Sequence, residues 1–185
     1  MKARNTGRLL ELACAVAVGV AAGVALAGSK RVAFRARSRL HGDWLGHLKA
    51  EHRVMRKLLK SMTHAEFDDP PRRAALLEKV SELLTRHAVE EENVVYPALS
   101  GMGEGGEATG LVDDHAEMKV LLRELQALPL EDARWREQAR VLKRVFDRHV
   151  HEEEDEIFPL LRERLGEVEN AKLTKLVTRE GVRLS

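Results

Sequence analysis

Apolar residues recur every three or four positions through four long stretches of the chain, which is the spacing of one face of an α-helix. No stretch shows the sustained two-residue alternation of a β-strand, so the sequence predicts an all-α protein. The four stripes are Leu45, Leu48, His52, Met55, Leu59 and Met62; Val80, Leu84, His87, Glu91, Val95 and Ala98; Leu111, His115, Met118, Leu122 and Leu125; and Leu142, Phe146, His149, Glu153, Ile157 and Leu160.

Start and stop signals divide these stripes into helices. Asp43 is a suitable N-cap, two prolines predict a turn over 67–73, and five glycines predict a flexible connection over 101–110. The predicted helices run from Asp43, from about Arg72 to Ala98, from about Leu111 to the break at Pro129, and from about Asp132 to Leu165, with a short amphipathic helix from Val168 to Arg179.

The stripes repeat. The first stripe from Leu48 onward matches the third from Leu111 onward at one constant offset, and the second and fourth match at an offset one residue different. The domain is therefore predicted to be two copies of a helical hairpin. Because short turns make neighbouring helices antiparallel, two hairpins predict an up-down-up-down four-helix bundle.

Histidine and glutamate occupy stripe positions where an aliphatic residue would be expected. His87 and Glu91 are four residues apart, as are His149 and Glu153, so each pair shares one helix face. A buried carboxylate without a partner costs several kcal/mol, and a cation is the obvious partner. We therefore predict a core site for two metal ions. Its candidate ligands are His52, His87, Glu91, His115, His149 and Glu153.

The other metal-binding residue types are assigned elsewhere. His151 lies opposite His149 on its helix and is predicted to be solvated, and His41, His47 and His64 are predicted to be surface or linker residues. Met55 and Met118 are predicted to be packing residues. Most of the neighbouring acidic residues are expected to face solvent, although Glu90 or Glu154 could add a carboxylate.

The residue types of the predicted site limit the choice of metal. Imidazole and carboxylate ligands suit Fe, Mn or Zn, and the single cysteine, Cys14, excludes a thiolate cluster. Two metal ions within a helical bundle favour iron over Mn or Zn. The net charge is +1, so composition indicates no nucleic-acid partner.

The N-terminal region is almost uninterruptedly apolar from Leu9 to Gly28, long enough to span a bilayer as one helix. Five basic residues over 30–39 follow it and three precede it, which favours a single-pass inner-membrane anchor with a cytoplasmic metal domain. A cleaved signal peptide ending at Ala25-Leu26-Ala27, which would make the protein periplasmic or secreted, is the alternative. A third possibility is a surface-lying or soluble hydrophobic tail.

The chain accordingly divides into four predicted parts. An anchor segment (1–29) and a basic juxtamembrane linker (30–42) precede the bundle (43–166), and a short helix and tail (167–185) follow it.

These motifs resemble the hemerythrin family, the HHE cation-binding domain, over roughly Trp44 to Arg164. The resemblance rests on His52 and His115 and on two His-xxx-Glu motifs, His87 to Glu91 before Tyr96-Pro97 and His149 to Glu153 before Phe158-Pro159. It implies a non-haem di-iron centre, with Glu91 and Glu153 bridging the irons and the histidines completing each coordination shell.

Two departures separate this chain from oxygen-carrying hemerythrins. Those carriers have a second His where this chain has Lys119, and their last carboxylate is an Asp five residues after its His, whereas Glu153 is four residues after His149. The chain thus resembles the broader bacterial hemerythrin-like group.

Three functions remain open at this point. The first is binding or sensing of dioxygen, nitric oxide, peroxide or iron at the membrane. The second is enzymatic reduction of peroxide or another small oxidant, and the third is a purely structural metal. The absence of a visible output module, electron-donating cofactor or redox cysteine leaves sensing, binding and turnover undecided, and we favour metal and small-ligand binding.

Overall fold

The computed structural model describes residues 29, 32, 42–64 and 69–184, and its regular elements are all helices, which confirms the predicted all-α class. Most of the proposed anchor and linker, and residues 65–68, lie outside the described residues. The α-helices are α1 (Trp44–Thr63), α2 (Pro70–Glu90), α3 (Tyr96–Ser100), α4 (Gly105–Ala127), α5 (Ala133–Glu152), α6 (Phe158–Arg164) and α7 (Glu167–Arg183).

Aspartate side chains cap the first two helices. Asp43 accepts a hydrogen bond from the amide of Gly46 at 2.9 Å, which confirms its predicted role, and Asp69 accepts one from Arg72 at 3.2 Å. Helix α2 begins at Pro70, so the predicted turn through Arg73 was too long. Proline suits this position because the first helical residues have no amide partner in the helix.

Helix α4 also begins earlier than predicted. It starts at Gly105, so the expected flexible connection through Gly110 was wrong over its second half. Ala108 is buried in this first turn, and the Thr109 hydroxyl donates to the Gly105 carbonyl. Packing of Ala108 offsets the low helix propensity of the surrounding glycines, about 1 kcal/mol each relative to alanine.

Two π-helical turns interrupt the second and fourth long helices, each of which was predicted to be continuous. The first covers Glu91–Val95, between α2 and α3, and the second covers Glu153–Ile157, between α5 and α6. In each, an amide five residues on, from Tyr96 or Phe158, donates to the carbonyl of the glutamate. Each turn therefore starts at a predicted metal ligand, and π-helical turns of this kind often occur at functional sites.

The long helices form an antiparallel bundle. Glu51 and His47 of α1 pair with Arg86 and Glu90 of α2, so a step of four residues back along α1 corresponds to four forward along α2. Helices α4 and α5 show the same reversal. Helix α1 also packs against α5, and α2 against α4, so each long helix has two long neighbours around the core. This is the arrangement expected of the predicted bundle.

Two apolar clusters fill the core. The first cluster surrounds Phe146 and Trp135, and the second surrounds Trp44 and Phe158. Leu173 and Val177 of α7 belong to the second cluster, so the C-terminal helix completes that end of the bundle. The helix predicted over 168–179 is present and longer than expected.

Within the described residues, no helix has both the length and the apolar character needed to cross a membrane. The segment from Leu9 to Gly28, on which the anchor prediction rests, lies outside them.

Candidate metal centre

The six predicted ligands meet in the interior of the bundle, and each is at most 1% exposed. Their donor atoms form two groups, within each of which all atoms lie within 4.8 Å of one another. Glu91 belongs to both groups. The first group is His52, His87, Glu91 and Glu153, and the second is Glu91, His115 and His149.

Imidazole Nε2 atoms surround the two carboxylates. The Oε2 atom of Glu91 lies 3.2 Å from His87 Nε2 and 3.3 Å from His115 Nε2. The Oε2 atom of Glu153 lies 3.3 Å from the Nε2 atoms of both His52 and His149. Each glutamate therefore joins a histidine of its own helix to one from another helix.

The opposite ring nitrogens each face a second carboxylate. The Nδ1 atoms lie 2.8 to 3.5 Å from oxygens of these four groups: Glu154 beside His52, Glu51 beside His87, Glu92 beside His115, and Asp114 beside His149. A carboxylate can only accept, so Nδ1 carries the hydrogen, and in a neutral ring this leaves the Nε2 lone pair free. Carboxylate–histidine pairs of this kind orient metal-binding imidazoles.

Sequence reasoning missed these outer carboxylates as a set, although the repeat contains a signal for them. Glu51 and Asp114 each immediately precede the histidine of a first helix, and Glu92 and Glu154 each immediately follow the glutamate of a second helix. The four are related by the same offsets as the six inner residues. Each outer carboxylate links two helices, so the repeat contains both the six inner residues and the carboxylates that orient the histidines.

Several inner atoms have no hydrogen-bond partner despite being shielded from solvent. They are Glu91 Oε1, Glu153 Oε2 and both ring nitrogens of His149, whose Nδ1 atom lies 3.5 Å from Asp114. Buried polar atoms are normally paired, and a buried unpaired charge is costly. A cation among these oxygen and nitrogen donors would satisfy them, so the residues fit a divalent first-row metal.

The inner residues strongly perturb one another's pKa values. Burial alone would lower the pKa of His149, but the nearby carboxylates of Glu153 and Asp114 outweigh it and raise that pKa to about 10. For His52, burial is likewise outweighed by Glu153 and Glu154, and the pKa rises to about 9. Burial would raise the pKa of Glu153, but the neighbouring imidazoles hold it well below its usual range.

Tyr96 brings a phenol into the centre. Its hydroxyl donates to Glu153 Oε1 at 2.7 Å and lies 3.3 Å from Glu91 Oε2 and 3.4 Å from His115 Nε2. Burial, together with the charges of Glu153 and Glu91, raises the pKa of Tyr96 well above 10. The sequence identified Tyr96 only as part of a motif and assigned no contact to its hydroxyl.

A third buried group adjoins the centre and corrects two expectations. His47, predicted to be a surface or linker residue, is buried, with Nε2 3.0 Å from Glu90 Oε2. Glu90 is as buried as Glu91, yet it faces His47 and Arg86 and not the six inner residues. Arg86 also pairs with Glu51. His47 and Arg86 thus already balance the carboxylates of Glu90 and Glu51, which distinguishes these two carboxylates from those of the metal centre.

The remaining predicted positions are placed as follows. His151 and His64 are exposed, as predicted, and His41 lies outside the described residues. His151 also pairs with Asp155, which was not predicted. Met55 and Met118 belong to the first apolar cluster, which confirms their packing role. Lys119 extends to Glu92 at 2.7 Å with its side chain about half exposed.

The hemerythrin HHE cation binding domain model matches residues 45–161, which is most of the described bundle. The chain belongs to this hemerythrin family. The match includes all six inner residues and the four outer carboxylates, so the chain carries a cation-binding domain whose clustered histidines and glutamates could hold metal.

The chain is similar to two other proteins. A crystal structure of a hemerythrin HHE cation binding domain-containing protein from Mycobacterium kansasii has a TM-score of 0.67 and 22% identity, and covers 77% of this chain and 86% of that one. A protein of Nostoc sp. described as a DNA nickase is 29% identical over 99 residues, which are 54% of this chain. The match spans only 28% of the Nostoc protein.

Proposed function

We propose that this protein holds two iron ions and uses them to bind or sense a small molecule such as dioxygen, nitric oxide or peroxide. His52 and His87 would hold one ion, His115 and His149 the other, and Glu91 and Glu153 would bridge them. When bound, a di-iron pair supplies exchangeable coordination positions and reversible one-electron chemistry. The family match supports cation binding, and the number and identity of the ions are our inference.

The observation that carries this proposal is the orientation of the four imidazoles. Every Nε2 atom points inward toward Glu91 or Glu153, while every Nδ1 atom faces an outer carboxylate. A packing arrangement alone would not require four histidines to have the same orientation. Metal binding does require it, because ring position and tautomer must both be fixed.

The surrounding residues control access to the centre. The two apolar clusters lie on either side of the six inner residues and exclude bulk water, which favours small neutral ligands over hydrated ions. The Tyr96 hydroxyl is the polar hydrogen-bond donor nearest Glu153, so it can orient a ligand that enters between the carboxylates.

The test is metal analysis of the full chain after iron-replete expression, with His87→Ala and, as a control, His151→Ala, whose side chain is exposed. We expect about two irons per chain in the wild type and the control, and loss of both in His87→Ala. One tightly held zinc and no iron in the wild type would contradict the proposal.

Peroxide reduction at the same centre is the alternative from the sequence. Anaerobic titration of the reduced protein with peroxide distinguishes the two, because a binder gives one saturable spectral change whereas an enzyme consumes peroxide continuously when a reductant is supplied. Continuous consumption would assign the protein to the peroxide-reducing class.

The proposal places this domain at the membrane through the segment from Leu9 to Gly28. This part rests on the hydropathy of that segment and on the five basic residues after it. With the anchor in the inner membrane, the metal domain would face the cytoplasm.

A further inference from the structure

A pocket of about 250 Å³ opens on the surface beside the metal centre, between α3 and α4. Its walls include Pro97 of α3 and Ala108 and Val112 of α4, and its lining also includes Tyr96 and Glu92. We call it the Tyr96 pocket. Ser100 and Thr109 complete the described lining, in which Glu92 is the single charged residue, so the pocket carries little charge although it adjoins a highly charged site.

Two residues of the pocket lining, Tyr96 and Glu92, also contact the metal centre. Tyr96 is the one that reaches the inner carboxylates: it is only 2% exposed and places its hydroxyl 2.7 Å from Glu153 and 3.3 Å from Glu91. The Tyr96 side chain therefore connects the pocket to the two inner carboxylates.

We propose that the Tyr96 pocket binds a small, neutral, weakly polar molecule of the diatomic-gas class and that the Tyr96 ring admits it to the metal centre. This inference rests on the proposed function and adds to it a docking place, a route and the residue that controls passage. The bond from Tyr96 to Glu153 holds the ring in its closed position.

The charges around the pocket favour a neutral ligand. Glu92 is the charged residue in its lining, and Glu92 Oε1 is already bonded to Lys119 Nζ at 2.7 Å and to His115 Nδ1 at 3.0 Å. Among the described residues, the lining contains no Lys, Arg or His that could bind an anion, and a hydrated cation would lose water against Pro97, Ala108 and Val112. A diatomic gas is subject to neither limitation.

A second pocket near the centre has more charged residues in its lining. It measures about 440 Å³, and its lining combines Arg53, Lys57 and Arg86 beside Glu51 with the apolar residues Ala50 and Leu83. Glu51 is bonded to both Arg86 and His87, so entry from this side must break a buried ion pair. This pocket also contains Val54, which is 44% exposed and therefore comparable to Val112 of the Tyr96 pocket, which is 39% exposed. These valines provide a matched pair of positions for a test.

The first experiment measures how fast nitric oxide binds to the iron-loaded, reduced full chain by stopped-flow absorbance. Val112→Trp fills the Tyr96 pocket and should slow association by about tenfold or more, whereas Val54→Trp should leave the rate unchanged. Tyr96→Phe removes the bond to a charged carboxylate and should speed association roughly tenfold. Iron content and circular dichroism are measured for every variant to establish that each is folded and loaded.

The opposite pattern would overturn the inference. If Val112→Trp binds nitric oxide at the wild-type rate, or if Val54→Trp is the slower variant, entry does not use the Tyr96 pocket. A Tyr96→Phe variant that associates no faster than the wild type would show that the hydroxyl does not hold the ring closed.

A second measurement needs no iron and separates this inference from the proposed function. Xenon is a neutral, apolar probe of about the size of a diatomic gas, and under xenon pressure the amide resonances of Ala108 and Val112 in the metal-free full chain should shift. The shift should disappear in Val112→Trp and persist in Val54→Trp. If the metal analysis finds no iron and the xenon shifts are present, the pocket is supported and the di-iron proposal fails. If the metal analysis finds two irons and the xenon shifts are absent, the pocket alone is rejected.

Discussion

Glu51 accepts a hydrogen bond from His87 at 3.0 Å through one carboxylate oxygen while its other oxygen pairs with Arg86. Among the outer carboxylates it is the most buried, with 9% of its side chain exposed compared with 17–25% for the other three. Burial alone would raise the pKa of Glu51, but the bond from His87 and the charges of His87 and Arg86 lower it to about 2. Glu51 therefore fixes the orientation of an inner histidine from a position outside the centre.

Replacing this carboxylate should weaken metal binding without removing a ligand. We expect Glu51→Gln to lower iron affinity about 10- to 100-fold, because His87 loses the charge that orients its ring and increases its basicity. Competition against a chelator measures the affinity. Glu78→Gln, an exposed change on the same helix as His87, serves as the control and should match the wild type.

Substitution of the neighbouring residues Glu90 and Glu91 should have two different effects, one on stability and one on iron retention. Glu91→Gln should abolish iron retention, because Glu91 belongs to both donor groups. Glu90→Gln should retain iron but lower the free energy of unfolding by about 1–3 kcal/mol, because His47 and Arg86 lose a buried charged partner. Metal analysis and urea unfolding measure the two effects. Equal iron loss in both variants would contradict this division.

The Asn170 side chain should contribute measurably to the free energy of unfolding, because its hydrogen bonds hold α7 against the end of the bundle. Its Oδ1 atom accepts from the Trp44 indole at 2.9 Å, and its amide nitrogen donates to the carbonyl of Leu165 at 2.9 Å. Asn170→Ala leaves these groups unpaired at the end of the bundle and should cost about 1–3 kcal/mol in thermal unfolding. Lys172→Gln, an exposed change on the same helix, should have little effect, and equal effects would contradict the assignment.

Bound metal should stabilise the fold through the buried carboxylates. The iron-loaded chain should unfold at a higher temperature than the chelator-treated chain, because a ligand that binds only the folded state shifts the equilibrium by mass action. Calorimetry of both forms measures the shift. His87→Ala provides the internal control, since the two preparations of that variant should then unfold at the same temperature.

The full chain should sediment with membranes and resist extraction by salt, because the anchor prediction rests on an apolar segment and not on charge. Fractionation followed by N-terminal sequencing tests this. A mature protein that begins at Gly28 would instead establish cleavage of a signal peptide and place the metal domain outside the cytoplasm.

Helical periodicity predicted that the six inner side chains lie inside the bundle, because steps of three and four positions determine which side chains share a face. The same periodicity concealed the contribution of Tyr96. It lies nine positions after His87, and nine steps of about 100° amount to two and a half turns of a regular α-helix, which would place the two on opposite sides. The π-helical turn at Glu91–Val95 changes that register, and a period of 3.6 residues does not anticipate it.

The errors at His47 and Glu90 have a different cause. Both are polar and lie at positions that a single helix would expose, and they are buried because α1 and α2 place them opposite each other. Pairing between helices depends on the relative rotation and depth of both helices. The apolar stripe of either helix alone does not contain that information.

The two halves of the bundle are related by a sequence repeat, yet their counterpart aromatic residues differ by one oxygen atom. Tyr96 lies beside His115, with ring centroids 5.6 Å apart, and its counterpart Phe158 stacks beside His52 at 6.2 Å. Identical repeats would give the centre two equivalent ends, whereas this chain has a phenol at one end and a hydrocarbon ring at the other. Reagents of different polarity would therefore distinguish the two ends.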